Sequence, residues 1–506
     1  MRLAFVQMPL RSYLGRAALA AVVAAVVTWV SAPEWRVPQH NVLGRDAGGI
    51  VSVVDMVEVT VTHADNLTVH CRPEHTQRHV TVRGTAHSMG GQTMFPGALQ
   101  YDMSRFNKVV SIGDDIYFDL RPVIVVEAGM TWHQLIEHIQ PLGMTPLAMQ
   151  STADFSIGGS ISVNAHGITT TFSVADSINK LTIMLPNCTM ATCEPGDALC
   201  ALAVGGYGAA GIIVHAHLHV RREVPYDWLS MHTYSVPVFW QQFVASFDGP
   251  AFEELHYGRL DLATLDQITY VKANPVWPAH PPETLPRLPQ ANGVGRGIVA
   301  VLTHRVVAWM ADHMWWPMMR HVRNGMEASL TELLLGGTPT PNEVLTVDLS
   351  AITRDAEPGG MTYILQEYFL PVRAAGRWLD ALIALLKTHG DLMNKLLNVS
   401  IRRIKHGSQP RSYLDYTKKE TQMVAFVLLY RTQATPNQDV LSTAHDMLAS
   451  DAVACGGSFY LPYLPHYHRE LVQRAYPKLA EFCLARSTLD PALRFTNVLT
   501  ERLCAP

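Results

Sequence analysis

HVTVRGTAHSMGGQ, residues 79–92, is an alternating β-branched run that breaks into small residues. The alternation predicts a strand over 79–84. Gly84, Thr85 and Ala86 behind it let the backbone come close to a ligand. Successive N–H groups in such a loop form an anion-binding concavity. STADFSIGGSISVNAHG, residues 151–167, repeats this chemistry with the Gly158–Gly159 pair and the hydroxyls of Ser156, Ser160 and Ser162. Two such loops, roughly 70 residues apart, suit a diphosphate held by backbone from both sides. A pair of ordinary tight turns is the plain alternative.

Outward from these loops the texture is mixed. PVIVVEAG (122–129) reads as a strand, and TWHQLIEHIQPLG (131–143) as a helix stopped by glycine. IVSVVDMVEVTVT (50–62), SINKLTIMLP (177–186) and GIIVHAHLHV (211–220) read as further strands. Residues 41–220 thus form an α+β block. From 221 to about 450 long Trp-, Met- and Leu-rich helical stretches appear, such as GRWLDALIALLKTHGDLMNKLL (376–397). Strand-like MTYILQEYFLP (361–371) and QMVAFVLLY (422–430) lie among them. Pro/Gly clusters at 274–296 and 336–341 read as loops. WMADHMWWPMMRHV (309–322) carries Asp312, His313 and Arg320, so it reads as a core or cap helix with a membrane-facing patch as its rival. Residues 451–506 alternate strand and helix texture as a separate closing segment.

Composition narrows the function. Of 506 residues, 48% are apolar and 16% charged, which excludes a disordered or fibrous chain. The 39 Lys+Arg against 43 Asp+Glu give a net charge of -4, so there is no electrostatic case for nucleic acid. Residues 1–32 read as a targeting segment: Arg2, Arg11 and Arg16 flank the apolar run AALAAVVAAVVTWV (17–30), with small residues at Ser31 and Ala32. A cleaved signal and an uncleaved membrane anchor are both open, and either implies a secreted, extracytoplasmic or membrane-anchored chain. N-x-[ST] sequons at Asn66, Asn187 and Asn398 matter only if a eukaryote secretes the chain. Seven Cys are too few for a disulfide scaffold. Cys188, Cys193 and Cys200 are close enough in sequence to pair in an oxidising compartment.

Two motifs point elsewhere. VGGYGAAG contains G-x-G-x-x-G at Gly206, Gly208 and Gly211. A dinucleotide loop needs a strand before and a helix after. Here helical DALCALAV precedes and β-branched IIVHAHLHV follows, so the order is inverted. His215, His217 and His219 alternate along one strand and share a face, which allows zinc and a remote hydrolase reading, with His466 or His468 as a further ligand. A solvent-facing strand explains the same alternation, and no metal is expected.

Taken together, RGTAHSMGGQ, VEAGMTWHQL (126–135), SIGGSISVNAHG, VGGYGAAGIIV and the tail's GGSFYLPY and YPKLAEFCLARSTLDPALRF resemble the vanillyl-alcohol oxidase family, with its PCMH-type FAD-binding domain. The resemblance is strongest to the branch holding alditol oxidase, sugar-1,4-lactone oxidases and decaprenyl-phosphoribose oxidase. It implies an α+β fold: a two-subdomain FAD-binding domain at 41–220, closed by 451–506, and a substrate (cap) domain of antiparallel sheet flanked by helices at 221–450.

The resemblance implies FAD held by Arg83, Gly84, Thr85, Ala86, His87, Ser88, Met89 and Gln92 of the first loop. From the second it implies Ser151, Ser156, Gly158, Gly159, Ser162, Val163, Asn164, Ala165 and His166, then Ile212, Ile213 and Tyr460. His87 occupies the position bonded to the flavin 8α-methyl in some members, although Ala86 replaces the usual preceding Gly. Thr152 stands where members with a second, cysteinyl link carry Cys. Glu367, Arg402, His166, Asn398 and Tyr463 are the implied catalytic set, with Glu367 accepting the substrate hydroxyl proton and Arg402 stabilising charge on reduction. An ion pair between Glu367 and Arg402 is the bland rival. Tyr463 replaces the Lys of decaprenyl-phosphoribose oxidase, which favours a small polyol or lactone over a phosphosugar. The expected reaction is oxidation of a CH–OH group, with oxygen or another electron acceptor. Cytokinin-dehydrogenase-like amine oxidation and a flavin redox carrier without turnover are the alternatives.

Overall fold

The computed structural model describes residues 46, 51–53, 55–113, 122–168, 172–227, 230–248, 255–276, 341–342, 361–405, 412–417, 422–433, 439–463 and 468–505. The apolar run at 17–30, the stretch at 309–322, most of the loop-like segments at 274–296 and 336–341, and His466 lie outside them. Among the described residues no helix is long and apolar enough to cross a membrane.

Three sheets organise the chain. The first is small and parallel, β1 (Val57–Thr60), β2 (Val80–Arg83) and β3 (Leu99–Asp102), in the order β1-β3-β2. Residues 50–62 read as one long strand in sequence. Among the described residues only Val57–Thr60 form a strand of the sheet, matching the four residues of the partner β3. The second sheet is antiparallel: β4 (Val109–Ile112), β5 (Val123–Glu127), β7 (Ile178–Met184), β8 (Met190–Cys193) and β9 (Ile212–Arg222), in the order β4-β5-β9-β7-β8. A sixth strand, β6 (Met144–Pro146), pairs with β9 off this path. Val80, Leu99 and Tyr101 of the small sheet share a buried cluster with Ile212 and Val214 of β9 and Phe495 of the tail. That cluster joins the two sheets and draws the C-terminal segment back to them.

The helix expected after β5 is α1 (Trp132–Ile139). Thr131 and Gln134 form a capping box, and Trp132, Leu135, Ile136 and Ile139 bury one stripe. The chain leaves through Gly143 at φ 71, a left-handed turn that favours glycine. The second loop becomes a short helix, α2 (Ile157–Ser162), capped by Ser156. DALCALAV folds as α3 (Ala198–Ala203), so the helix does precede the glycines and β9 does follow them.

The third sheet is antiparallel and has seven strands. They are β10 (Ser230–Ser235), β11 (Leu255–Leu260), β12 (Gln267–Ala273), β13 (Met361–Pro371), β14 (Leu396–Lys405), β15 (Gln422–Gln433) and β16 (Ser458–Phe459), in the order β10-β12-β11-β14-β15-β13-β16. The amphipathic run before β14 is α4 (Val372–Thr388), broken at His389 and resumed as α5 (Gly390–Lys395). Trp378 of α4 packs on Tyr368 and Phe426, with ring centroids 5.1 and 4.8 Å away. One face of this sheet is therefore covered by helix. Since side chains alternate along a strand, Glu367 and Arg402 emerge on the other face.

Three disulfides tie the fold: Cys71–Cys188, Cys193–Cys200 and Cys483–Cys504. Of the three cysteines close in sequence, two pair together. Cys188 instead reaches a partner 117 residues earlier, a choice that depends on tertiary folding. Cys455 is left unpaired.

Candidate functional site

A cleft of about 1050 Å³, measured to its open mouth, runs between the two loops. Arg83, Gly84, Thr85, Ala86, His87, Ser88 and Gln92 form one wall. Ser156, Gly158, Gly159, Ser162 and Val163 form the opposite wall, and Ile213, Tyr460 and Tyr463 complete the lining. The loops meet closely. A Cβ on Gly84 would lie 1.9 Å from Ser156 Oγ, so only glycine fits there.

The walls differ in what they offer an anion. Among the described residues, no hydrogen bond engages the N–H groups of Thr85 and Ala86. Ala86 has φ 60, left-handed for an alanine, and this turns successive N–H groups toward one concavity. The second loop has already used its donors. Ile157 N–H donates to Met130 O at 2.8 Å, Gly158 N–H to Ala128 O at 2.7 Å, and Gly159 N–H to Ser156 Oγ at 3.3 Å. The expectation of a backbone grip from both sides is corrected here. The first loop supplies donors, and the second supplies a Cβ-free surface and hydroxyls. Gly208 adds to the opening, since a Cβ there would meet nothing within 4 Å. These features fit a dinucleotide diphosphate. Arg83 is taken up by Glu58 at 2.9 Å and Asp102 at 3.0 Å.

His87 lines the cleft and stacks on Phe155 with centroids 4.2 Å apart. Several expected contacts fall elsewhere. Ile212 points into the cluster beneath the small sheet, because neighbours on a strand face opposite ways and Ile213 takes the cleft side. Met89, Ser151, Asn164, Ala165 and His166 lie outside the lining. Asn164 is a brace: its carbonyl accepts from the Tyr416 hydroxyl at 2.9 Å and its side chain from Ala175 N–H at 3.1 Å. Phe155, Tyr207 and Asn497 line the cleft and were not among the expected residues. Phe155 and Tyr207 sit inside the quoted glycine motifs, where an aromatic between small residues is the available signal. Asn497 had none.

Beside the cleft, Glu367 gathers a polar cluster. His166 Nε2 lies 2.6 Å from Glu367 Oε2, with both residues buried. The Tyr463 hydroxyl donates to the same carboxylate. Burial pushes this carboxyl up, but His166, Arg402 and Tyr463 outweigh burial and hold it below the ordinary glutamate range. It is therefore ionised at neutral pH and only accepts, so His166 Nε2 carries the shared hydrogen. Burial, with Glu367 adding to it, raises the Tyr463 hydroxyl well above its ordinary value, so Tyr463 stays protonated. Burial lowers Arg402, and Glu367 acts against that.

Glu367 sits in register with Val427, and Val427 with Ser400. Arg402, two residues further on, shares this face and donates from Nε to Ser400 Oγ at 3.3 Å. Among the described residues Arg402 makes no direct ion pair with Glu367, whose close partners are His166 and Tyr463. Asn398 lies two residues from Ser400 on the opposite side from Arg402 along β14, and among the described residues it makes no hydrogen bond to Glu367, His166 or Tyr463. Phe369, Tyr416 and Tyr460 wall the cluster. Phe369 stacks on Tyr416 at 4.2 Å, and the Tyr460 hydroxyl donates to Val163 O at 2.6 Å. Tyr416 lies in no motif and carried no sequence signal.

His215, His217 and His219 do not converge into a group of ligand-spaced atoms among the described residues. They are half-buried on β9, and burial lowers His215 and His217.

Residues 56–194, which hold both loops, match the FAD-binding domain family. The fold is similar to that of a solvent-stable cholesterol oxidase, with a TM-score of 0.64 at 14% identity, covering 91% of this chain and 97% of that one. The chain thus carries an FAD-binding domain over residues 56–194, and FAD is its cofactor. Among curated proteins it is similar to a putative D-arabinono-1,4-lactone oxidase of Neurospora crassa, 29% identical over 215 residues, 41% of this chain and 35% of that protein. It is also similar to the D-arabinono-1,4-lactone oxidase of Yarrowia lipolytica, 34% identical over 152 residues, 29% of this chain and 27% of that one. The chain spans about a third of the length of these relatives.

Proposed function

We propose that the protein is an FAD-dependent oxidoreductase acting on a CH–OH group of a polyol, sugar or aldonolactone. One observation carries the reading: an ionised, buried carboxylate, Glu367, linked through the Tyr463 hydroxyl to a cleft lined by both glycine loops. The lactone-oxidase names of the two relatives support the substrate class. Bound FAD supplies the hydride acceptor, and oxygen or another acceptor takes the electrons onward.

The chain's own residues do the rest. Thr85 and Ala86 present N–H groups to the diphosphate, and Gly84 and Gly159 let the two loops close around Ser156. Glu367 takes the hydroxyl proton as hydride leaves carbon, directly or across Tyr463. Its charge is held in place by His166 and Arg402. The aromatic wall of Phe369, Tyr416 and Tyr460 keeps water from the cluster. We further read His87 as the covalent anchor, since it lines the cleft and Phe155 fixes its ring. The FAD-binding and substrate parts follow the boundaries 41–220, 221–450 and 451–506. The disulfides favour an oxidising compartment, in keeping with export or anchoring through the N-terminus.

The test is spectroscopic. Purified protein should be yellow, the colour should stay with acid-precipitated protein, and His87→Ala should release it. A panel of polyols, aldoses and aldonolactones should bleach the flavin band anaerobically. Protein that is yellow yet unbleached by every member of the panel would overturn the proposed activity.

A further inference from the structure

His70 is fully buried and does not line the cleft; it lies at the end of the turn Ala64–Cys71. Its ring lies against the Cys71–Cys188 disulfide. Nε2 is 3.5 Å from Cys71 Sγ and 3.6 Å from Cys188 Sγ. Zinc–sulfur distances of about 2.3 Å and zinc–nitrogen distances of about 2.0–2.1 Å, at tetrahedral angles, place sulfur and nitrogen about 3.6 Å apart. Both nitrogen–sulfur separations already have that value. Among the described residues this is the one group of three His, Cys, Asp or Glu side chains with ligand-spaced atoms.

The other side of the ring is also arranged for a ligand. The Tyr101 hydroxyl oxygen accepts from His70 N–H at 2.8 Å and lies 2.9 Å from Nδ1. Its own hydrogen donates to Leu67 O at 3.3 Å. In the tautomer with hydrogen on Nδ1, the ring donates to Tyr101 and turns the Nε2 lone pair toward the two sulfurs; the ring also hydrogen-bonds the backbone of Leu185, a contact that metal binding would replace. A fixed outer hydrogen bond of this kind orients metal-ligating histidines. The Arg494 guanidinium donates to His70 O at 2.6 Å and so fixes the backbone next to Cys71.

We propose that His70, Cys71 and Cys188 form a redox-switched zinc site, a disulfide in oxidising surroundings and a Cys2His zinc centre in reducing ones. A dithiol reductant delivers two electrons and two protons, becoming its own disulfide and leaving two cysteine thiols. Zinc then displaces those two protons, and Nε2 completes three ligands, with a fourth position for water. In either state the turn Ala64–Cys71 stays tied to the β7–β8 hairpin.

The experiment uses the full-length flavoprotein. The chain is reduced with a dithiol, freed of reductant anaerobically, and mapped by mass spectrometry for free thiols at 71 and 188. Zinc binding is then counted, and cobalt is added as a spectroscopic probe. One tightly held zinc per chain and a thiolate-to-cobalt charge-transfer band are expected. Cys71→Ser/Cys188→Ser should lose both. Tyr101→Phe, which keeps the shape but removes the partner of Nδ1, should weaken zinc about 10–100-fold. If wild-type protein with both thiols free binds no zinc, or if the double-serine variant binds it equally, the proposal fails. Neither result bears on the oxidoreductase reading.

Discussion

Glu367 shows how one residue takes its role from its neighbours. A carboxylate so buried would ordinarily be neutral. His166 at 2.6 Å, together with Arg402 and Tyr463, keeps it charged instead. Glu367→Gln keeps the volume and removes the proton acceptor, so anaerobic flavin bleaching by a reactive substrate should slow by about 10²–10⁴-fold. FAD content should stay unchanged, because Glu367 is not in the cleft lining. Because the carboxyl is held low, wild-type bleaching should not lose its base as pH falls to the ordinary glutamate value of about 4.3. Equal stopped-flow rates for wild type and variant would remove Glu367 from the chemistry.

At the scale of elements, the meeting of the two loops depends on Gly84. A methyl there overlaps Ser156 Oγ at 1.9 Å and Ser156 Cβ at 2.7 Å. Ser156 cannot simply swing aside, since it caps α2. Gly84→Ala should destabilise the protein by about 1–3 kcal/mol and deplete it of FAD. Ser156→Gly alone should cost only a few tenths of a kcal/mol as a cap. Added to Gly84→Ala, it should recover most of the lost FAD and urea midpoint, because it removes both overlapping atoms. Full FAD occupancy in Gly84→Ala alone, or no recovery in the double variant, would show that this contact does not set the width of the cleft.

Across the whole molecule, buried histidines set the acid limit. Burial lowers His70 to about 4 and His256 to about 3, and lowers His215 and His217 as well. The unfolded chain protonates these rings near pH 6.5, the ordinary histidine value. The folded chain does so only at lower pH. Their contribution to stability is therefore complete above about 6.5 and declines as pH falls toward 4 and below. Glu367 adds a loss of the same sign at lower pH, below its ordinary value and through its depressed folded one. Urea midpoints should hold steady from pH 8 to about 6.5 and drop progressively down to pH 4. A flat profile across that range would contradict the buried, neutral state of these rings.

The sequence by itself determined the local pieces. Strand alternation, the capping box at Thr131, the glycine stop at Gly143, the helix-before-strand order around the third glycine run, and the two small-residue loops follow from neighbours along the chain, where propensity and periodicity act. Glu367, His166 and Tyr463 were legible as separate candidates through their motifs. Tertiary structure alone decided that Tyr463 and His166 meet on one carboxylate while Arg402 makes no direct ion pair with it. It also decided which of Ile212 and Ile213 faces the cleft, and that Cys188 finds Cys71. Each of these rests on sheet register and packing between segments up to hundreds of residues apart, which no local pattern encodes.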